Sequence, residues 1–326
     1  MSNRIYDESF FNEENKERYL KGLQKSTYDS YSRVLKRASN IEEQLNKDLL
    51  NFNLYEISQV MKLLAPTSIS ASKIGLSTIK GYIDWAIKND LRDDNINPLT
   101  VTMTDEFVKS FVDSTNQYLF SNDEIMSIIG RMANPQDSGL ILCIFEGIMG
   151  REYSEIRNML KGDIKDEENH IVVREETKDG VLVSRQVEIS DQLKALLKRA
   201  ALQENYDKNN GNYTGRAGTG KLNDSPYVFR AIRSNLKYND AIRGPVVWSR
   251  IKATSEWFGY PYLTPINIRN SGMIKYANDL LIANGKFERE EITAVCLKFG
   301  VATRITTRVT KEFLNIETIN SIYPKD

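Results

Sequence analysis

The chain has 326 residues, 40% of them hydrophobic and 27% charged, with 44 basic residues balanced by 44 acidic ones. Those proportions describe an ordinary globular protein of about two domains, and they exclude a collagenous, a disordered or a disulfide-stapled chain. No run of about 18 apolar residues is present and Met1–Asp7 carries no apolar leader core, so no membrane partner and a cytoplasmic location are expected.

The opening third reads as helical. Residues 1–25 are polar, with Phe10, Phe11 and Tyr19 as isolated aromatics. From Ser26 to Leu45 the residues Tyr31, Val34, Leu35 and Ala38 recur at helical spacing behind a Ser26 or Thr27 cap. Asn53 to Leu64 predicts a second helix, and Ser70 to Asn89 a third, with Ile74, Ile79 and Ile83 as apolar members. Asp90 to Pro98 is rich in turn formers, and 99–118 lacks a clean period and reads as a linker.

Ser121 and Glu124 form a capping-box pattern ahead of Ile125, Ile128 and Ile129. Leu140 to Met149 predicts a buried helix, and Ser154 to Leu160 continues the helical pattern. Two β-rich runs, Ile171–Arg174 and Val181–Ile189, flank Thr177-Lys178-Asp179-Gly180, and an Asp-Gly pair in that setting predicts a hairpin. Asp191 to Leu202 is an amphipathic helix, and Asn205 to Ser225 reads as a long loop. Within that loop, Gly215 to Lys221 imitates a phosphate-binding P-loop. Leu222 stands where a magnesium-binding Ser or Thr is needed, and no buried strand feeds the loop, so the match is rejected. Helices are expected over 239–258, 265–283, 288–298 and 301–320.

Charge is uneven along this order. Residues 212–311 hold 16 Lys+Arg against 7 Asp+Glu, a surplus of 9 that suggests one face built for a polyanion. The two cysteines, Cys143 and Cys296, sit in apolar surroundings and read as buried thiols. One histidine, His170, cannot supply a Cys/His metal site or any two-histidine mechanism, so no metal and no other cofactor is expected. The segment Leu263 to Met273 reads as a turn entering a helix, with Pro265 in its first turn and Ile268, Gly272 and Met273 facing a core.

Several short stretches, in order, resemble the tyrosine recombinase (phage integrase) family over residues 25–315. Thr27 and Tyr31, with Ser70 to Trp85 as a DNA-facing helix and Asn97-Pro98 as the exit, are similar to its helical core-binding domain. Tyr118-Leu119-Phe120-Ser121 with Asp123-Glu124-Ile125 resembles the start of its catalytic domain. Met149-Gly150-Arg151-Glu152-Tyr153-Ser154-Glu155-Ile156 resembles the first arginine box, Lys178 falls in the hairpin of the catalytic lysine with Arg185 as a basic residue on its second strand, and Thr264-Pro265 through Arg269 resembles the second box. Phe299-Gly300 with Thr306-Thr307 resembles the third.

The resemblance implies a mainly α fold with a small antiparallel sheet. A SAM-like core-binding domain (1–98), a linker (99–118) and a catalytic-like domain (119–326) would close on DNA as a C-shaped clamp. In that family two arginines and a lysine act on the scissile phosphate, histidines assist, and a tyrosine is the nucleophile. Here the matching positions hold Glu152, Ile266 and Val301 in place of an arginine and two histidines, and Thr310 in place of the nucleophile. Lys178 and Arg269 alone are kept.

The expectation is therefore a degenerate, non-catalytic member that binds specific double-stranded DNA, similar to the recombinase-fold repressors of SPbeta-like Bacillus prophages that maintain lysogeny. The alternatives are an active integrase with shifted residues, for which Tyr323 is the displaced nucleophile, and an architectural accessory. Expected DNA contacts are Lys73, Lys80, Lys178, Arg185, Arg269, Arg304 and Arg308, with Arg230, Arg233, Arg243 and Arg250 as weaker candidates. Further partners expected are a second copy, through the tail Lys311 to Ile322, and an antirepressor or other regulatory protein.

Overall fold

The computed structural model describes residues 9–112, 119–165, 167–213, 215, 217–233 and 241–324. Tyr118, named above, and Arg216, within the P-loop-like stretch Gly215 to Lys221, lie outside the described residues. The chain divides into two compact units, Met1–Asn116 and Gln117–Asp326, a boundary inside the segment expected as a linker.

The first unit is helical: α1 (Glu13–Leu20), α2 (Lys25–Leu45), a 3₁₀ turn (Leu49–Asn51), α3 (Leu54–Leu64), α4 (Ile69–Lys88), α5 (Leu99–Thr102) and α6 (Asp105–Lys109). Local chemistry sets the ends. Asn53 and Glu56 form a reciprocal capping box at α3, and Ser68 accepts the Ala71 N–H at 3.1 Å to open α4. Leu76, Ile79, Tyr82, Ile83 and Ala86 of α4 are fully buried against Leu35, Ala38, Ile57, Val60 and Met61. Residues 99–112, within the segment expected as a linker, include α5 and α6. Leu99 and Val108 enter this core, and the Ser72 hydroxyl donates to the Val108 carbonyl at 2.7 Å.

A polar network is sealed inside the same unit. The Lys16 ammonium lies 2.8 Å from Glu42 Oε1 and 3.5 Å from Asp48, and Tyr82 donates to Asp48 at 3.2 Å. Glu42 also accepts the Leu49 N–H at 2.6 Å. Burial pushes the Glu42 carboxyl up to about 7, against the opposing pull of Lys16.

The second unit contains α7 (Asn122–Gly130), α8 (Pro135–Phe145), α9 (Ser154–Arg157), the strands β1 (His170–Glu176) and β2 (Leu182–Glu188), and α10 (Asp191–Leu202). There follow β3 (Asn205–Asp207), β4 (Thr219–Lys221), α11 (Gly244–Phe258), α12 (Pro265–Asn284), α13 (Arg289–Lys298), α14 (Thr306–Glu312) and α15 (Ile316–Ile322). Helix α8, buried from Gln136 through Phe145, is the axis on which α7, α10, α11 and α12 pack. It starts earlier and stops sooner than expected, because Pro135 suits a first turn and Gly147 (φ 97°) leaves the helix. The helix expected over 154–160 ends at Arg157, since Leu160 bridges to Tyr227 in extended pairing.

The hairpin pairs Val173 with Arg185 and His170 with Glu188 around a turn whose Gly180 has φ 77°. The long loop expected over 205–225 contains a second two-stranded sheet, β3 with β4. Asn209 and Asn210, both left-handed, turn the chain there, and the Asn134 side chain bonds both backbone groups of Asp207. The helix expected over 301–320 is split: Phe313 (φ −157°) leaves α14, and Asn315 caps α15 by accepting from Thr318 N–H. Leu314 and Ile319 are then buried against α12 and α13 in the chain's own core, with Met273, Ile274, Val295 and Cys296. No helix among the described residues is long and apolar enough to cross a membrane.

Candidate nucleic-acid interface

Two of the family-like boxes and the hairpin, far apart in sequence, approach one another at one side chain. Arg185 on β2 donates from Nε to Glu155 Oε1 at 2.5 Å and from a terminal nitrogen to Glu155 Oε2 at 2.9 Å. Its other contacts are the carbonyls of Lys298 and Gly147, both at 2.7 Å. One guanidinium thus ties the first box, the hairpin and the approach to the third box. Glu155, 1% exposed, also accepts the Met149 N–H at 2.8 Å, and Ser154 accepts the Glu176 N–H at 3.1 Å. The second box joins through Gly272. A methyl group added there would sit 1.8 Å from the Phe145 carbonyl oxygen and 3.0 Å from the Phe299 ring, so only glycine lets α12 approach this closely.

Arg269 lies one turn before that contact. Thr264 caps α12 by accepting the Asn267 N–H at 3.2 Å, Pro265 fills the first turn, and Ile268, Gly272 and Met273 are buried as their spacing predicts. Arg269 is half-buried. Among the described residues its one hydrogen bond is long, 3.4 Å, to its neighbour Asn270, and its buried Nε meets no partner. Burial and then the positive charge of Arg308 on α14 hold its pKa below the usual arginine value. Among the described residues no carboxylate pairs with Arg269 or Arg308. Two cations in proximity, one of them desolvated and unpaired, form a site that gains most from an anion with several acceptor oxygens.

Around the first box the backbone is distorted. Gly150, Glu152 and Tyr153 all have positive φ (67°, 50° and 63°). Glu152 is exposed. The neighbouring Arg151 reaches toward the Thr177 carbonyl at 3.5 Å, which places its guanidinium beside the hairpin turn that carries exposed Lys178. Arg151 therefore joins the candidate cations. Its adjacency to the expected arginine position was the available signal, but the two consecutive left-handed residues that reorient it leave no mark in side-chain spacing.

The remaining expected contacts separate clearly. Arg304 and Arg308 are exposed, as are Arg233 and Lys73. Lys80 is half-buried and paired with Asp84 at 2.8 Å. Arg185, expected as a DNA contact, spends its donors on Glu155 and two backbone carbonyls. Arg250 is 8% exposed, 3.6 Å from buried Asp137, and donates to the Arg230 carbonyl at 2.7 Å. Arg230 is held by the carbonyls of Ala200, Ala201 and Gln203.

Of the other altered positions, Ile266 is 58% exposed, Val301 is buried, and the Thr310 hydroxyl donates to the Thr306 carbonyl at 2.9 Å. The Tyr323 hydroxyl accepts the Asn122 N–H at 2.9 Å, and burial pushes its pKa up to about 12. Among the described residues no cluster of His, Cys, Asp and Glu suits a metal ion.

Residues 119–324 match the family model described as "MrpR, C-terminal catalytic domain", and residues 10–88 match "MrpR, N-terminal core-binding domain". The chain is 24% identical over 321 residues to the SPbeta prophage-derived uncharacterized protein YopR of Bacillus subtilis (strain 168), covering 97% of each. It is also similar to two solved structures. XerA recombinase is 15% identical, with a TM-score of 0.42 over 95% of this chain and 96% of that one. XerH site-specific recombinase bound to palindromic difH substrate is 13% identical, with a TM-score of 0.47 over 91% of this chain and 80% of that one.

Proposed function

The chain belongs to the MrpR family, and from that premise we propose that it is a prophage repressor: it binds specific double-stranded DNA, silences transcription to maintain lysogeny, and does not cut the strand. The observation that carries the reading is the unpaired cation of Arg269 beside Arg308, at the junction where the family boxes converge. A DNA phosphate has the charge and the acceptor oxygens that this site lacks. Exposed Lys178, with Arg151 alongside, adds positive charge at the hairpin turn. The prophage origin of the YopR relative supports the setting.

The non-cutting part of the proposal rests on chemistry. Phosphoryl transfer through a covalent enzyme intermediate needs a nucleophile and a group to move its proton. The positions that match the family's tyrosine and histidines hold Thr310, Ile266 and Val301. A nicked duplex that traps any covalent intermediate is the decisive substrate. We expect retarded complexes on native gels and no protein–DNA adduct on denaturing gels. An adduct abolished by Tyr323→Phe would establish instead an integrase with a displaced nucleophile. A reporter behind the native operator tests the regulatory half: repression is expected, and DNA binding without repression would leave an architectural role.

A further inference from the structure

Helix α4 carries an exposed aliphatic side chain that the fold does not use. Ser72, Gly75, Leu76, Thr78 and Ile79 are buried, while Lys73 is exposed and Ile74 is 47% exposed. Ser70 and Ser77 flank Ile74 on the same side of the helix, four residues before it and three after, and both are half-buried. The open face is confined to the first turns. Further along, a Cβ on Gly81 would lie 2.6 Å from the Tyr19 hydroxyl, and Lys80 is paired with Asp84.

Charge singles out the same segment. No Asp or Glu occurs from Ile57 through Ile83, a stretch that contains Lys62, Lys73 and Lys80, although 44 acidic residues in 326 would place about three or four in such a length. A helix face that is acid-free over its first turns, ahead of the Lys80–Asp84 pair, and tipped with one exposed aliphatic group complements a DNA major groove. The one apolar group on any base edge there is the thymine methyl.

We propose that Ile74 is a specificity-determining residue that packs on a thymine methyl group, with Lys73 holding the adjacent phosphate. The proposal rests on the DNA-binding reading above and deepens it, by naming the residue and the base feature it reads.

The test uses the full-length protein and duplexes that it enriches from a random-sequence pool. Each thymine in the tightest duplex is replaced in turn by deoxyuridine, which keeps the base pair and removes only the methyl. Burying one methyl group corresponds to about a fourfold change in affinity. Wild type should lose about that factor at one or two positions. Ile74→Ala should bind the thymine and uracil duplexes equally there, and Ile74→Val should keep part of the discrimination. Lys73→Ala should weaken both duplexes alike. Enriched duplexes with no methyl dependence, or a methyl dependence that survives Ile74→Ala, overturn this inference alone. A pool with no enriched duplex overturns the DNA-binding reading and this inference with it. Self-association abolished by Ile74→Ala, without methyl dependence, would assign the face to a second copy instead.

Discussion

Arginines of this chain meet three fates. Arg185 and Arg250 spend their donors on internal oxygens, Arg304 and Arg308 face solvent, and Arg269 is half-buried with its Nε unpaired. The difference predicts opposite phenotypes. Arg269→Ala should weaken DNA affinity by about 10- to 100-fold, the worth of a hydrogen bond to a charged group. It should leave stability unchanged or slightly higher, because a desolvated charge is removed. Equilibrium binding and urea denaturation of one variant check both halves; intact affinity would remove Arg269 from the interface. Glu155→Ala should instead destabilise the second unit by about 3–5 kcal/mol, since it strands Arg185 beside two carbonyls. Denaturant unfolding checks it. Sequence could nominate all of these arginines and could not sort them. Glu155 lies 30 residues from Arg185 and the Lys298 carbonyl 113, so the partners are set by tertiary contact alone. Arg269 was legible because Pro265, Ile268 and Gly272 fix its helix locally.

At the level of elements, legibility follows the same line. The Ser121–Glu124 and Asn53–Glu56 capping boxes and the Asp-Gly hairpin are local signals, and the elements they announce are present. The split between α14 and α15, the 205–221 sheet and the folded α5–α6 segment depend on partners far along the chain. The tail makes a prediction of its own. A chain ending at Phe313 loses Leu314 and Ile319 from a core shared with α12 and α13, and should unfold at lower denaturant concentration with reduced cooperativity. A truncated protein as stable as the full chain would show that this packing is dispensable.

The polar network joining α1, α2 and α4 predicts a pH response. Glu42 has its folded pKa raised by burial from 4.5 to about 7. Its contribution to stability is thus complete below about 4.5 and is lost as pH rises through about 7. Thermal unfolding of wild type should show this loss between pH 5 and 8, and Glu42→Gln should flatten it. Identical slopes for the two proteins would mean that Lys16 keeps Glu42 ionised throughout.

The whole molecule is electrically neutral, yet its proposed partner is a polyanion, so binding must come from local excess rather than from net charge. If about 6–10 phosphates are contacted, affinity should fall roughly 10³- to 10⁵-fold between 50 and 200 mM salt. A flat salt response would rule out a phosphate-tracking interface.

The bond from Asn122 N–H to the Tyr323 hydroxyl has another consequence. It fastens the last helix of the second unit to the start of its first, so that this unit's backbone is close to a ring. Where a polypeptide is cut then matters little to such a unit. A circular permutant with residues 119 and 324 joined by a short glycine linker, and with new ends at the exposed turn after Gly285, should keep the cap-and-core geometry of all its helices. The gene order of those helices would be rearranged without a change in their architecture.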